Sequence, residues 1–172
     1  ELEPRFEFVM NTLREAFPHV RKLDFESSGQ TVTVATIDDR WGNKTPIAFE
    51  STGLITALLQ LCAVASTPPS GLVTIDEIET SLHPHAIRVL IAAFRRWAKE
   101  HELRIVLATQ SETVLDQFQD CPEQIYVLEP NQETSPRSLT DLFGADWLSQ
   151  FSLGDLFAHL EFGSNREPAS GP

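Results

Sequence analysis

The chain has 172 residues, 41% of them hydrophobic, which suits one domain or the larger part of one with a real core. Its formal net charge of −12 sets the average surface against phosphate backbones, so the chain as a whole is a poor candidate for non-specific nucleic-acid binding unless it carries a local basic patch. No apolar run approaches a membrane span: the longest, Leu54 to Ala65, is broken by Thr56 and Gln60. No signal peptide is visible, and Cys62 and Cys121 stand far apart in no metal-ligand spacing, so they read as reduced, buried thiols of a cytoplasmic protein. The chain begins at Glu1 rather than Met, and we expect its natural start to lie upstream.

In chain order, residues 4–17 read as a helix, with Phe6, Val9, Met10, Leu13 and Phe17 at helical spacing and Pro18 ending the run. The period then changes to two. Leu23 and Phe25, then Val32, Val34 and Ala35, suggest paired strands around Ser27-Ser28-Gly29-Gln30. Asp38 to Lys44 reads as a polar loop. Thr52 to Ala65 reads as a buried helix, stopped by Thr67-Pro68-Pro69-Ser70-Gly71. Leu72-Val73-Thr74-Ile75 is a short strand running into Asp76-Glu77. A helix follows from Pro84 to about His101, with an apolar stripe of Ile87, Leu90, Ile91, Phe94 and Ala98. Arg104 to Ala108 is a second strand, Ser111 a cap for a short helix through Phe118, and Ile125 to Leu128 a third strand. Strands alternating with helices predict a parallel sheet covered on both faces. Residues 137–161 read as two short helices around Leu153-Gly154, and the Gly-, Pro- and Ser-rich tail 163–172 as disordered.

The chemistry concentrates at Asp76-Glu77. Two carboxylates at the C-terminal end of a buried strand sit where open α/β sheets bind ligands. In a nucleotide hydrolase the first holds magnesium, often through water, and the second orients or deprotonates the attacking water. Acidic pairs also end many strands simply because the chain emerges into solvent there. His83 before Pro84 reads equally as an N-cap ahead of a first helical proline. His83 and His85 supply only two ligands for any metal.

The stretch Gly71-Leu72-Val73-Thr74-Ile75-Asp76-Glu77-Ile78-Glu79-Thr80-Ser81-Leu82-His83-Pro84 resembles the Walker B and D-loop segment of RecF-, SMC- and OLD-like ABC-type ATPases, a group of predicted AAA-family ATPases. Ile78 stands where that family usually has proline. Upstream, Glu50-Ser51-Thr52-Gly53 is similar to the family's degenerate signature, Ser, any residue, Gly, at a helix N-terminus whose free N–H groups suit an anion. Downstream, Ile105-Val106-Leu107-Ala108-Thr109-Gln110-Ser111 resembles the switch strand, with Gln110 in place of the usual histidine. Trp147 to Phe162, with Ser152-Leu153-Gly154-Asp155-Leu156, resembles the family's C-terminal ending. The three motif segments stand in the order the family requires.

The resemblance implies an α/β fold: the C-terminal lobe of a P-loop NTPase of ABC type over 1–162, with a mostly parallel sheet, flanking helices and a small N-terminal β-hairpin. It implies ATP binding and hydrolysis with Mg²⁺, coupled to dimerisation with a second ATPase head, and work on DNA or in phage defence. Asp76 would help hold the metal and Glu77 would be the general base. Ser51, Thr52, Gly53 and His83 would contact nucleotide, and Gln110 would orient the γ-phosphate. No Gly-x-x-x-x-Gly-Lys-Ser/Thr loop occurs; the eight glycines fall at 29, 42, 53, 71, 144, 154, 163 and 171. The chain is therefore expected to be inactive alone and completed by an N-terminal Walker A half, on the same or a separate polypeptide, with no membrane partner. Two alternatives stand beside this: a degenerate, non-hydrolysing partner or scaffold module, and a metal-dependent nuclease using Asp76, Glu77 and Glu79.

Overall fold

Phe6, Val9, Met10 and Leu13 recur at helical spacing, and their segment folds as α1 (Leu2–Ala16), which buries Val9, Met10 and Leu13. The computed structural model describes residues 2–28, 32–128 and 135–160. The chain divides into two units, 1–109 and 110–172.

In the first unit, α1 leads into an antiparallel sheet of order β1 (Val20–Ser28), β2 (Val32–Asp39) and β3 (Lys44–Pro46). Leu23 lies opposite Ile37, and both are buried. The reversal expected at Ser27–Gln30 falls partly on Gly29 and Gln30, outside the described residues. The polar loop expected over Asp38–Lys44 is shorter, because Asp38 pairs with Lys44 across β2 and β3. Asp39 closes the turn between them: its carboxylate accepts from the Trp41 and Asn43 backbone N–H groups, each at 2.9 Å, and from Asn43 Nδ2 at 2.8 Å. These three bonds and a left-handed Gly42 (φ 89°) let the ladder continue where polarity alone suggested a loop.

Next come α2 (Thr52–Ser66), β4 (Leu72–Asp76), α3 (Pro84–His101) and β5 (Arg104–Ala108). α2 buries Leu54, Ala57, Leu58, Leu61, Val64 and Ala65; α3 buries the expected Ile87, Leu90, Ile91 and Phe94, together with Trp97. α1 packs against both helices. β4 and β5 pair in parallel, from Leu72 opposite Arg104 to Asp76 opposite Ala108. Only one face of this pair is covered. Val73, Ile75, Ile105 and Leu107 point inward, whereas Leu72 is 61% and Val106 54% exposed on the other face.

The second unit holds α4 (Glu112–Asp116), β6 (Tyr126–Val127), β7 (Arg137–Ser138), α5 (Leu139–Phe143), α6 (Ala145–Leu148) and α7 (Leu153–Leu160). Its core is Leu115, Ile125, Val127, Leu139, Leu148, Leu153 and Leu156. Ser152 caps α7 through the Asp155 N–H, while the Gly154 N–H donates to Asp116 and the Leu153 N–H to Gln119.

Several expectations are corrected here. The third strand is shorter than 125–128 and pairs antiparallel with β7, so among the described residues parallel pairing is confined to β4 and β5. A mostly parallel sheet covered on both faces is not what these residues form. Ser111 precedes α4, but its side chain makes no cap hydrogen bond, and the helix ends at Asp116. Three short helices follow residue 137 rather than two. Cys62 is exposed and Cys121 half-buried, not buried as expected; partial desolvation by α2's surroundings pushes the Cys62 thiol above its ordinary pKa. The tail expected to be disordered lies outside the described residues. Among the described residues, no helix is long and apolar enough to cross a membrane.

Candidate functional site

Asp76 ends β4 and Glu77 follows it; both are exposed. The parity of the strand puts Asp76 on the uncovered face, in line with Leu72 and Thr74. The Glu77 N–H donates to the Ala108 carbonyl at 2.9 Å, which carries the parallel ladder one residue past the strand. Glu77 is left-handed (φ 48°), a conformation that costs a non-glycine residue about 1 kcal/mol or more and that collects at functional sites.

From Glu77 the chain makes two successive tight turns. The Thr80 N–H donates to the Glu77 carbonyl and the Leu82 N–H to the Glu79 carbonyl, each at 2.9 Å, with Ser81 also left-handed (φ 63°). Side chains fasten this turn. Thr80 Oγ1 donates to Glu77 Oε2 at 3.2 Å, and Thr109 Oγ1, just beyond β5, donates to Glu79 Oε2 at 2.8 Å. Ile78 is fully buried beneath, where Gln60 Nε2 of α2 donates to its carbonyl at 3.1 Å.

The N-terminus of α2 meets the same turn. Ser51 is the N-cap, its Oγ accepting from the Leu54 N–H at 3.3 Å, and Ser51 and Thr52 are exposed. Gly53 is buried against the turn: a Cβ there would lie 2.5 Å from the Ser81 carbonyl oxygen. His83 caps α3, its Nδ1 accepting from the His85 N–H at 3.2 Å ahead of Pro84. The N-cap role considered for His83 is thus the one its ring nitrogen fills, and its Nδ1 is engaged there. Gln110 is exposed and opens the second unit.

Ser51, Thr52, Gly53, Asp76, Glu77 and His83 therefore all stand within the first unit, with Gly53 against the turn that joins Glu77 to His83. Sequence reasoning missed Thr80, Thr109 and Gln60 as partners of that turn. The one available signal was Gln60, a polar break in the most apolar run of the chain. Two clefts lie elsewhere: a shallow one lined by Asp116, Gln119 and residues 149–152, and another along Glu3, Phe6 and Met10 of α1.

The donor set fits magnesium only in part. Mg²⁺ is usually held by one or two carboxylates, with water and substrate phosphates completing its shell, and Asp76 can supply one such oxygen. Among the described residues no group of three His, Cys, Asp or Glu side chains could hold a metal, so Asp76, Glu77 and Glu79 do not form a self-sufficient metal site of the kind a nuclease would need.

A chain from the solved structure described as "Structural biochemistry of ATP-driven dimerization and DNA stimulated activation of SMC ATPases" is 12% identical and matches over 79% of this chain and 84% of that chain, with a TM-score of 0.53; at that identity the likeness is one of fold. No curated protein matches. Residues 5–116, about two thirds of the chain, match the family described as "AAA domain, putative AbiEii toxin, Type IV TA system". That span runs from α1 through the Asp76-Glu77 turn, α3 and β5, and the chain belongs to this AAA-domain ATPase family.

Proposed function

We propose that residues 1–162 act as the C-terminal lobe of an ABC-type ATPase head, which binds and hydrolyses ATP with Mg²⁺ and dimerises with a second head around nucleotide. The observation that carries this reading is the placement of Asp76 and Glu77 at the C-terminal end of a parallel strand whose outer face is uncovered, leaving Leu72 and, on the neighbouring strand, Val106 exposed. Parallel sheets are ordinarily covered on both faces. An N-terminal half bearing the phosphate loop would supply the missing cover and bring its phosphates to Asp76.

When bound, Mg²⁺ would neutralise charge on the β- and γ-phosphates. Asp76 would hold it, directly or through water. Glu77, oriented by Thr80 Oγ1, would take the proton from the water attacking the γ-phosphorus, with ADP as the leaving group. Ser51 and Thr52, exposed at the N-terminus of α2, would offer a hydroxyl and N–H groups to the nucleotide of the opposite head. Gln110 would orient the γ-phosphate through a neutral amide, and His83 would contact nucleotide through its outer ring nitrogen. Work on DNA or in phage defence belongs to the same reading; the DNA-stimulated activation named for the SMC structure supports the former.

The test is Glu77→Gln in the assembled head. ATP binding should persist, turnover should fall ~10²–10⁴-fold, and nucleotide-bridged dimers should accumulate. Turnover at the parental rate would leave Glu77 a structural residue. It would favour the second reading, a non-hydrolysing partner module, for which Gln110 in the usual histidine position speaks.

A further inference from the structure

Gln60 is the one long polar side chain that α2 turns into the core, among Leu54, Ala57, Leu61 and Val64, and it is only 9% exposed. A buried amide is costly unless bonded. Half of this one is: Nε2 donates to the Ile78 carbonyl, while Oε1 is buried without a partner. Methionine would fill a similar volume and orphan no oxygen, so packing alone does not account for the amide. What the amide adds is the donor. Within the turn after β4, the backbone N–H groups of Thr80 and Leu82 take the carbonyls of Glu77 and Glu79; the carbonyl between them, that of Ile78, goes to Gln60.

We propose that Gln60 is a positioning residue for Glu77, tying the turn that carries the base to the helix that presents Ser51 and Thr52. The inference rests on the reading of Glu77 as general base. Two adjoining features give it force. Glu77 and Ser81 are both left-handed, so the turn is held by its surroundings rather than by local preference. Gly53, two helical turns before Gln60, admits the Ser81 carbonyl against α2, so helix and turn touch at a second point on the same side. With both points in place, a displacement of α2 as the opposite head docks on Ser51 is passed to Glu77.

The test compares the parent with Gln60→Met and Gln60→Glu by two readouts. The first is hydrogen exchange of the Glu77, Thr80 and Leu82 amides in this chain. Gln60→Met should lower their protection about tenfold or more and leave the α2 amides unchanged. Gln60→Glu should behave likewise at pH 8 and regain protection towards pH 5.5, because only the protonated acid can donate to the Ile78 carbonyl. The second readout is ATP turnover of the assembled head. Gln60→Met should lower kcat by about tenfold to a hundredfold, the scale of a small misplacement, with KM changed less than about twofold. Unchanged protection in the turn, or quickened exchange with an unchanged kcat, overturns the proposal. Quickened exchange beside a parental head that hydrolyses nothing overturns the ATPase reading instead, and leaves Gln60's hold on the turn standing.

Discussion

Gly53 illustrates how one position can answer to two demands. As the glycine of a Ser-x-Gly element it reads as a contact for nucleotide on an opposite head. Its own chain adds a demand from within, because a Cβ at Gly53 would come within 2.5 Å of the Ser81 carbonyl oxygen. That neighbour is backbone, and Ser81 is already left-handed, so the turn has little freedom to retreat. Gly53→Ala should therefore destabilise the chain by about 1–3 kcal/mol, the usual range for overpacking, despite alanine's better helix propensity. A urea transition measures this directly, and an unshifted midpoint would mean that the turn yields freely. Ser51→Ala provides the contrast at the same helix end. It removes a cap bond worth about 1 kcal/mol without pressing on the turn. Signature contacts to nucleotide would be weakened by both substitutions, but only Gly53→Ala should also disturb the Glu77 amide.

At the scale of elements, the turn between β2 and β3 makes a prediction about pH. The Asn43 side chain, first, and then the backbone N–H groups of residues 41–43 hold the Asp39 carboxyl below the usual carboxylate range. Its proton is bound less tightly in the folded chain than in the unfolded one. The turn's contribution is thus full above the unfolded pKa of ~3.9 and is lost as pH falls through the lower folded value. An NMR titration should place Asp39 below an ordinary aspartate, and Asn43→Ala should move it back up; an unchanged midpoint in that variant would remove the side-chain amide as the main cause. The same turn marks a limit of sequence reading. Asp38 to Lys44 reads as loop because every residue but Trp41 and Gly42 is polar, yet Asp38, Asp39 and Lys44 lie in the strands and Asp39's three bonds close the four-residue turn between them. Long helices were legible because burial of one face leaves a period: α3 was anticipated from Pro84 to His101. β6 was not, since a run such as Ile125 to Leu128 carries no sign of whether its partner is parallel, and that partner, Arg137-Ser138, is too short and polar to announce itself. Within the site, Asp76 and Glu77 were legible from an apolar strand meeting two carboxylates. Thr109 and Gln60 were not legible as partners, because a hydrogen bond across 30 or 18 residues leaves no periodic trace, and Thr80, three residues from Glu77, sits in an irregular turn with no period to mark it.

For the whole molecule, the decisive feature is a parallel strand pair with one bare face. Leu72 and Val106 are more than half exposed on β4 and β5, and the proposed metal ligand Asp76 shares their face. A carboxylate there, in open water, neither concentrates nucleotide nor excludes solvent from it, and a net charge of −12 repels ATP on average. Phosphate affinity in such sites comes mostly from the N–H groups and lysine of a glycine-rich loop, which these residues do not contain. The purified chain should therefore release no phosphate from Mg-ATP above background. Mixing it with a Walker A half of the same family should do two things together: slow hydrogen exchange along β4 and β5 as their outer face is covered, and start turnover. Glu77→Gln separates these effects, since it should leave the new protection intact and abolish most of the turnover. Phosphate release by the chain alone that Glu77→Gln eliminates would overturn this account, because it would require a complete phosphate site within these 172 residues. Protection without turnover in the parental mixture would instead point to a head that assembles and does not hydrolyse, the outcome that Gln110 in place of histidine would then explain.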